Sequence, residues 1–319
     1  MRRAILAVLG LTIGVSAPGL AEAKMKVFAC LPEWAALTQE LGGDNVEIFT
    51  AISPTENPEQ VSATPALISA LSQADLLVCT GGGFEDSWLN PALSRAQNPK
   101  LGKGKPGAFY ASQFVKLMED HDEKPAAKGG HGHSHGAAKS GHAHGEGNPH
   151  IQGDPRRVRT VAGQLGRRMI EVDPSGKALY GDRTKAFLQN FAALIKELEK
   201  KAKPLDHVHV IVQHEHSNYL LDWLGLEISG IVEPEVGVPP GPADLARIVE
   251  VAQKSKAKFV IHAAYEDPRP SQFVTERVKI PLVKLPFTVG GTEDAKTLTD
   301  FYRASVDRLL DGLAGRDRN

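Results

Sequence analysis

KVFACLPEWAALTQELGGDNVEIFTAI, residues 26–52, decides the fold class. KVFACL (26–31) is a short, nearly continuous apolar run, the pattern of a buried strand. PEWAALTQELGG (32–43) begins on proline and stops on paired glycines, which predicts a helix with a glycine end. VEIFTAI (46–52) is a second strand. Strand, helix and strand in succession predict a parallel sheet.

The same alternation continues outward. PALISALSQA (65–74) reads as a helix, and DLLVCTGGG (75–83) as a strand running into a glycine turn. It returns in the second half with strands at HVHVIVQH (207–214), KFVIHAA (258–264) and PLVKLPF (281–287). Helices are expected at SNYLLDWLGL, ADLARIVEVAQKSK, QFVTERV and DAKTLTDFYRASVDRLLDGLAG. Between the halves, DPSGKALYGDRTKAFLQNFAALIKELEKKAKPL (173–205) repeats Leu179, Ala186, Phe187, Phe191, Leu194, Ile195 and Leu198 at helical spacing. The expected architecture is α/β: two lobes, each a mainly parallel sheet flanked by helices, joined by one long rigid helix. The lobes are assigned to residues 24–172 and 206–319, with the connecting helix at 173–205. Ligands of such folds bind beyond the carboxyl ends of the strands, here in the cleft between the lobes.

Two segments stand outside this pattern. MRR followed by AILAVLGLTIGVSA and AEA (21–23) has the basic start, apolar stretch and small-residue site of a signal peptide cleaved after Ala23. An exported protein, periplasmic once processed, is expected. Residues 120–149 have almost no large apolar side chain and are expected to be a disordered insertion. Order resumes at DPRRVRTVAGQLGRRMIEV, an amphipathic helix with Asp154 as its cap and Pro155 in first position.

The formal net charge of −1 gives no reason to expect nucleic acid or an anionic membrane as partner. The two cysteines, Cys30 and Cys79, end two predicted strands. They bridge if those strands are neighbours and an oxidising compartment allows it; otherwise they are two buried thiols.

Histidine is the outlier, with seven of twelve between His121 and His150. His131, His133, His135, His142 and His144 alternate with Gly, Ser and Ala, which makes a flexible chelator of modest affinity and fast exchange. His150, in NPHIQGDP, is instead held between a proline and a capped helix, as a ligand of a defined site needs. His214 and His216, in HEH at the end of a strand, are placed to face one ion. His207 and His209 begin that strand and read as structural or solvent-facing, and His262 reads as a core residue. Glu59, Glu266 and Asp267 lie in loops after strands, on the cleft side. No GxSxG, HExxH or phosphate-binding glycine loop is present, so no enzyme activity is expected.

Taken together, these stretches resemble the zinc/manganese class of ABC-transporter solute-binding proteins, the TroA-like family. The resemblance is carried by NPEQVSATPALISALSQADLLVCTGGGFEDSWL (57–89), the His-rich tract, NPHIQGDPRRV, PSGKALYGDRTKAFLQNF, QHEHSNYLLDWLGL and EPEVGVPPGPADLARIV. It implies two α/β lobes with a metal between them, the ion being delivered to an ABC permease in the inner membrane. The protein is expected to be a monomer, and the histidine-rich ligands favour Zn²⁺ as the bound ion. By position, His150 and His214 match the family's ligands. The family's first histidine falls on Glu59, and its late aspartate has no counterpart in KLPFTVGG (284–291). His216, Glu59, Glu266 and Asp267 are the candidates to complete the set. A periplasmic zinc buffer or chaperone, or the same kind of protein carrying manganese, are the alternatives. Binding is expected to weaken as pH falls through about 6.5, where histidine takes up a proton.

Overall fold

The computed structural model describes residues 23–102, 104–119, 147–234 and 238–317. The segment expected to be a signal peptide, apart from Ala23, and the loop histidines His131, His133, His135, His142 and His144 lie outside the described residues.

The first lobe contains strands β1 (Met25–Ala29), β2 (Val46–Thr50), β3 (Leu76–Cys79) and β4 (Ala108–Tyr110), in the order β2-β1-β3-β4. The second contains β5 (His209–Val212), β6 (Glu227–Ile231), β7 (Val260–Ala263) and β8 (Leu282–Leu285), in the order β6-β5-β7-β8. Every strand pair is parallel. In each sheet the order turns back at the first strand, β1 or β5, which creates a switch point where a crevice opens.

The helices flanking the first sheet are α1 (Pro32–Gly42), α2 (Pro65–Gln73), α3 (Asp86–Ala96) and α4 (Pro155–Val172). The Asp154 carboxylate accepts from the backbone N–H of Arg156 at 2.8 Å and caps α4. Helix α5 (Lys177–Lys201) has 25 residues and spans about 37 Å at 1.5 Å per residue. It packs along α4 so closely that a Cβ on Gly166 would lie 2.2 Å from Thr184 Oγ1. The helix starts at Lys177, four residues later than expected, because Asp173 accepts from Ser175 and Tyr180 and sets a short 3-10 turn first.

In the second lobe, α6 (Asn218–Leu224), α7 (Pro242–Ser255), α8 (Arg269–Val278) and α9 (Leu298–Leu313) flank the sheet. Helix α5 reaches this lobe through Phe191, whose ring lies 5.5 Å from that of Tyr302 on α9. The indole N–H of Trp223 also donates to Glu199 at 3.1 Å. One continuous apolar core runs from the first sheet through α4, α5 and α9 into the second. Polar contacts cross between the lobes as well. The Tyr302 hydroxyl donates to the Gln152 carbonyl at 2.6 Å, and that of Thr288 donates to Glu33.

Strands β1 and β3 are neighbours, and Cys30 and Cys79 at their ends are joined in a disulfide. Among the described residues, no helix is long and apolar enough to cross a membrane.

Candidate metal centre

Residues just beyond the carboxyl ends of the strands meet where the lobes face each other. From the first lobe comes His150, in the turn before α4. From the second come His214 and His216. His214 leaves β5 in extended backbone conformation, and a short 3-10 turn then brings His216 to the same side. The rings of His214 and His216 are stacked with centroids 5.8 Å apart. His150 stands edge-on to both, at 6.2 and 6.4 Å. All three are buried. The three imidazoles thus form a nearly equilateral triangle about 6 Å on a side. Rings closed on one tetrahedral zinc, with Zn–N of 2.0–2.1 Å, have centroids on the order of 5 Å apart. The triangle is about an ångström more open than that.

Aromatic rings wall the triangle. Phe84, beyond β3, meets His150 edge-on at 5.0 Å. Phe287, beyond β8, lies 6.0 Å from His150 and 5.7 Å from His216. Phe287 thus places an aromatic ring, not a carboxylate, just beyond the end of β8. Tyr265 closes the side behind Phe287 at 5.2 Å.

The buried carboxylate at this place is Glu266. Its Oε1 lies 3.7 Å from Nδ1 of His216, and its Oε2 accepts from the backbone N–H of Ala263. Burial, reinforced by the charges of Glu233 and Glu59, pushes its pKa up to about 8. Glu233, beyond β6, is raised to about 7 by burial and by Glu59. Glu59 is half-buried and belongs to the same electrostatic cluster, with Tyr265, Glu233 and Glu266. Asp267 is not brought in. Its carboxylate is half-exposed and held by Arg269 Nε at 2.7 and 3.0 Å, which lowers its pKa. The backbone turn that buries Glu266 directs the next side chain outward.

Both ring nitrogens of His216 are buried without a hydrogen bond. Burial, then the neighbouring His214 and His262, hold its pKa well below the usual value, so the ring is neutral and its lone pair available. A buried, neutral imidazole beside a carboxylate offers two of the donor types that zinc sites use. His262 is buried, pushed down to about 4 mainly by burial. His207 and His209 lie away from the cluster, beside Glu227.

A tighter grouping of potential ligands, Cys30, Cys79 and Glu85, does not qualify. Its sulfurs are bonded to each other, and the Glu85 carboxylate already accepts the backbone N–H groups of Thr80 and Gly81 at 2.7 and 2.8 Å.

Residues 27–312 match the family model of ZnuA, the periplasmic zinc-uptake complex component A. The manganese ABC transporter substrate-binding lipoprotein scaA of Streptococcus gordonii is 22% identical over 301 residues, covering 91% of this chain and 89% of that protein. The metal ABC transporter substrate-binding lipoprotein SsaB of Streptococcus sanguinis is 22% identical over 302 residues, covering 91% and 90%. Among solved structures, a crystal structure of ZnuA superposes with a TM-score of 0.72 at 21% identity, covering 91% of this chain and 99% of that one. A mutant of the laminin-binding adhesin Lmb of Streptococcus agalactiae superposes with a TM-score of 0.71 at 22% identity, covering 91% and 99%. With two parallel sheets, a long linking helix and a family match over nearly its whole length, the chain belongs to the family of the periplasmic zinc-uptake complex component A.

Proposed function

We propose that this protein takes up Zn²⁺ between its lobes, on His150, His214, His216 and Glu266, with Glu59 and Glu233 on the outer side of the site. Membership of the family makes it a metal-binding, solute-binding component of an ABC importer, not an enzyme, and such proteins hand their ion to a membrane permease. In the finer reading the protein is exported by a signal peptide cleaved after Ala23 and works in the periplasm as a monomer. The loop histidines His131, His133, His135, His142 and His144 gather zinc for the cleft.

One observation carries the choice of ion: three buried imidazoles, from both lobes, are grouped with their ring centroids about 6 Å apart. Nitrogen-rich sets favour zinc, whereas manganese favours oxygen ligands. The carboxylates Glu59, Glu233 and Glu266 are the feature that favours manganese, the second reading. Competition between Zn²⁺ and Mn²⁺ on the mature protein separates the two. Tight zinc binding that a large excess of Mn²⁺ does not displace, and that His150→Ala abolishes, supports the first. Deleting residues 121–147 should reduce the number of ions bound and leave the tight site. Loss of the tight site in that deletion would refute the division between loop and cleft.

A further inference from the structure

The site as proposed has a feature the ligand set alone does not explain: His150 is held by one amide that also touches the opposite lobe. Asn148 is buried, two residues before His150. Its Oδ1 faces both the backbone N–H of His150, at 3.0 Å, and the ring Nδ1 of His150, at 2.9 Å. The backbone N–H can only donate, so the amide atom facing it is the oxygen. That oxygen can only accept, so Nδ1 carries the proton. In the neutral ring Nε2 is then the bare nitrogen.

The amide orientation that follows leaves Nδ2 to donate elsewhere, and it donates to the carbonyl of Glu215 at 3.2 Å. Glu215 lies between His214 and His216. A single side chain therefore accepts from the first-lobe histidine and donates to the turn that carries the two second-lobe histidines. The backbone of Asn148 is held in turn by Tyr219 on α6. The Tyr219 hydroxyl donates to the Asn148 carbonyl at 2.6 Å and accepts from the Met118 N–H at 2.7 Å, while Asn148 N–H donates to the Met118 carbonyl at 2.8 Å.

We infer that Asn148 is the positioning residue of the metal site: its amide fixes His150 with the proton on Nδ1 and Nε2 toward the cation, and ties that ring to the turn bearing His214 and His216, while the Tyr219 hydroxyl holds Asn148 in place. The role needs an acceptor and a donor on one short side chain. Aspartate keeps the acceptor and loses the donor, and alanine loses both. Partners that orient a ligating histidine typically contribute about 10- to 100-fold in metal affinity.

This inference rests on His150 being a ligand, and the test keeps the two apart. Zinc affinity is measured by chelator competition for the wild type, His150→Ala, Asn148→Ala, Asn148→Asp and Tyr219→Phe, and the His150 tautomer is read from ¹⁵N ring shifts of the metal-free proteins. Asn148→Ala should lose about 10- to 100-fold in affinity and lose the pure Nδ1–H signature. Asn148→Asp should keep that signature and recover part of the affinity, and Tyr219→Phe should fall between Asn148→Ala and the wild type. Wild-type affinity in Asn148→Ala, or an unchanged tautomer in it, overturns the positioning role. So does an Asn148→Asp protein no better than Asn148→Ala. If Asn148→Ala fails to fold, the Asp and Phe variants decide by the same two readouts. Unchanged tight binding in His150→Ala would instead refute the ligand assignment itself, and the tautomer measurement would still stand alone.

Discussion

Nδ1 of His216 lies 3.7 Å from Oε1 of Glu266, both side chains buried. Two atoms bound to one tetrahedral zinc at 2.0–2.2 Å are about 3.4 Å apart, so the pair stands a few tenths of an ångström from chelating distance. Glu266→Gln should therefore weaken zinc binding by about tenfold or more, or 1.4 kcal/mol. Asp267→Asn, whose parent carboxylate is engaged with Arg269 in solvent, should stay within about twofold of the wild type, as surface substitutions do. Chelator competition on the two variants checks the choice. Equal losses would remove Glu266 from its place in the set.

The same carboxyl group moves the expected pH window. From ordinary histidine values, binding should fall away near pH 6.5. His216, however, is held neutral well below that, and Glu266 is raised to about 8 by burial and its acidic neighbours. A carboxyl raised to about 8 carries a proton at neutral pH, and the cation must displace it. Apparent affinity should then rise as pH rises from 6.5 towards 8, by up to about tenfold per pH unit for one displaced proton, and then level off for this group. Calorimetry at pH 7 in buffers of different ionisation enthalpy should detect proton release that shrinks towards pH 9. Affinity independent of pH between 6.5 and 8 would contradict it.

The elements legible in the sequence are those whose pattern is intrinsic. β1, α1, β2 and the long α5 each carry their own periodicity or punctuation. Three elements carry too little. β4 is a three-residue strand, AFY, and β6 is EISGI, half-buried and interrupted by Gly230. α3 has Pro91 inside it and ends on Gln97 in left-handed conformation. Such elements form because neighbours complete them, which a single chain does not spell out. The site divides in the same way. Of the proposed ligands, His150, pinned between a proline and a capped helix, and His214 and His216, at the end of a strand, stand out in the sequence. Choosing Glu266 over Asp267 was not, because adjacent residues of a turn face opposite ways and only the fold says which is inside. Asn148 had one signal, its place two before His150, but its role depends on the Glu215 carbonyl, 67 residues away.

The Cys30–Cys79 disulfide links the carboxyl ends of the two central strands of the first sheet across 49 residues of sequence. Closing a loop of that length removes disorder from the unfolded chain and typically stabilises by about 2–4 kcal/mol. Cys30→Ala/Cys79→Ala should lose about that much unfolding free energy and so unfold at a lower denaturant concentration. Zinc affinity should hold under conditions where the variant is folded, since neither cysteine lies among the proposed ligands. Denaturant titrations of the metal-free proteins, with and without reductant, check the first point. A wild-type curve insensitive to reductant would contradict the link.

Glu33, on α1, is wholly buried where the lobes meet. The Thr288 hydroxyl donates to its Oε2, while its Oε1 is buried without a hydrogen bond. Burial, with a contribution from the negative charge of Glu85, raises its pKa from 4.5 to about 7. Between those two values the folded protein binds a proton that the unfolded chain has released, so stability falls as pH rises through this window. The cost is absent below about pH 4.5 and complete above about 7. Glutamine in its place stays neutral throughout. Glu33→Gln should gain stability over the wild type on going from pH 5 to pH 8, by at most about 3 kcal/mol at 1.36 kcal/mol per pKa unit. Urea unfolding of both metal-free proteins at the two pH values gives the difference directly. Curves that remain parallel would mean that Glu33 is ionised at little cost, and that its contact with Thr288 across the lobes is indifferent to its charge.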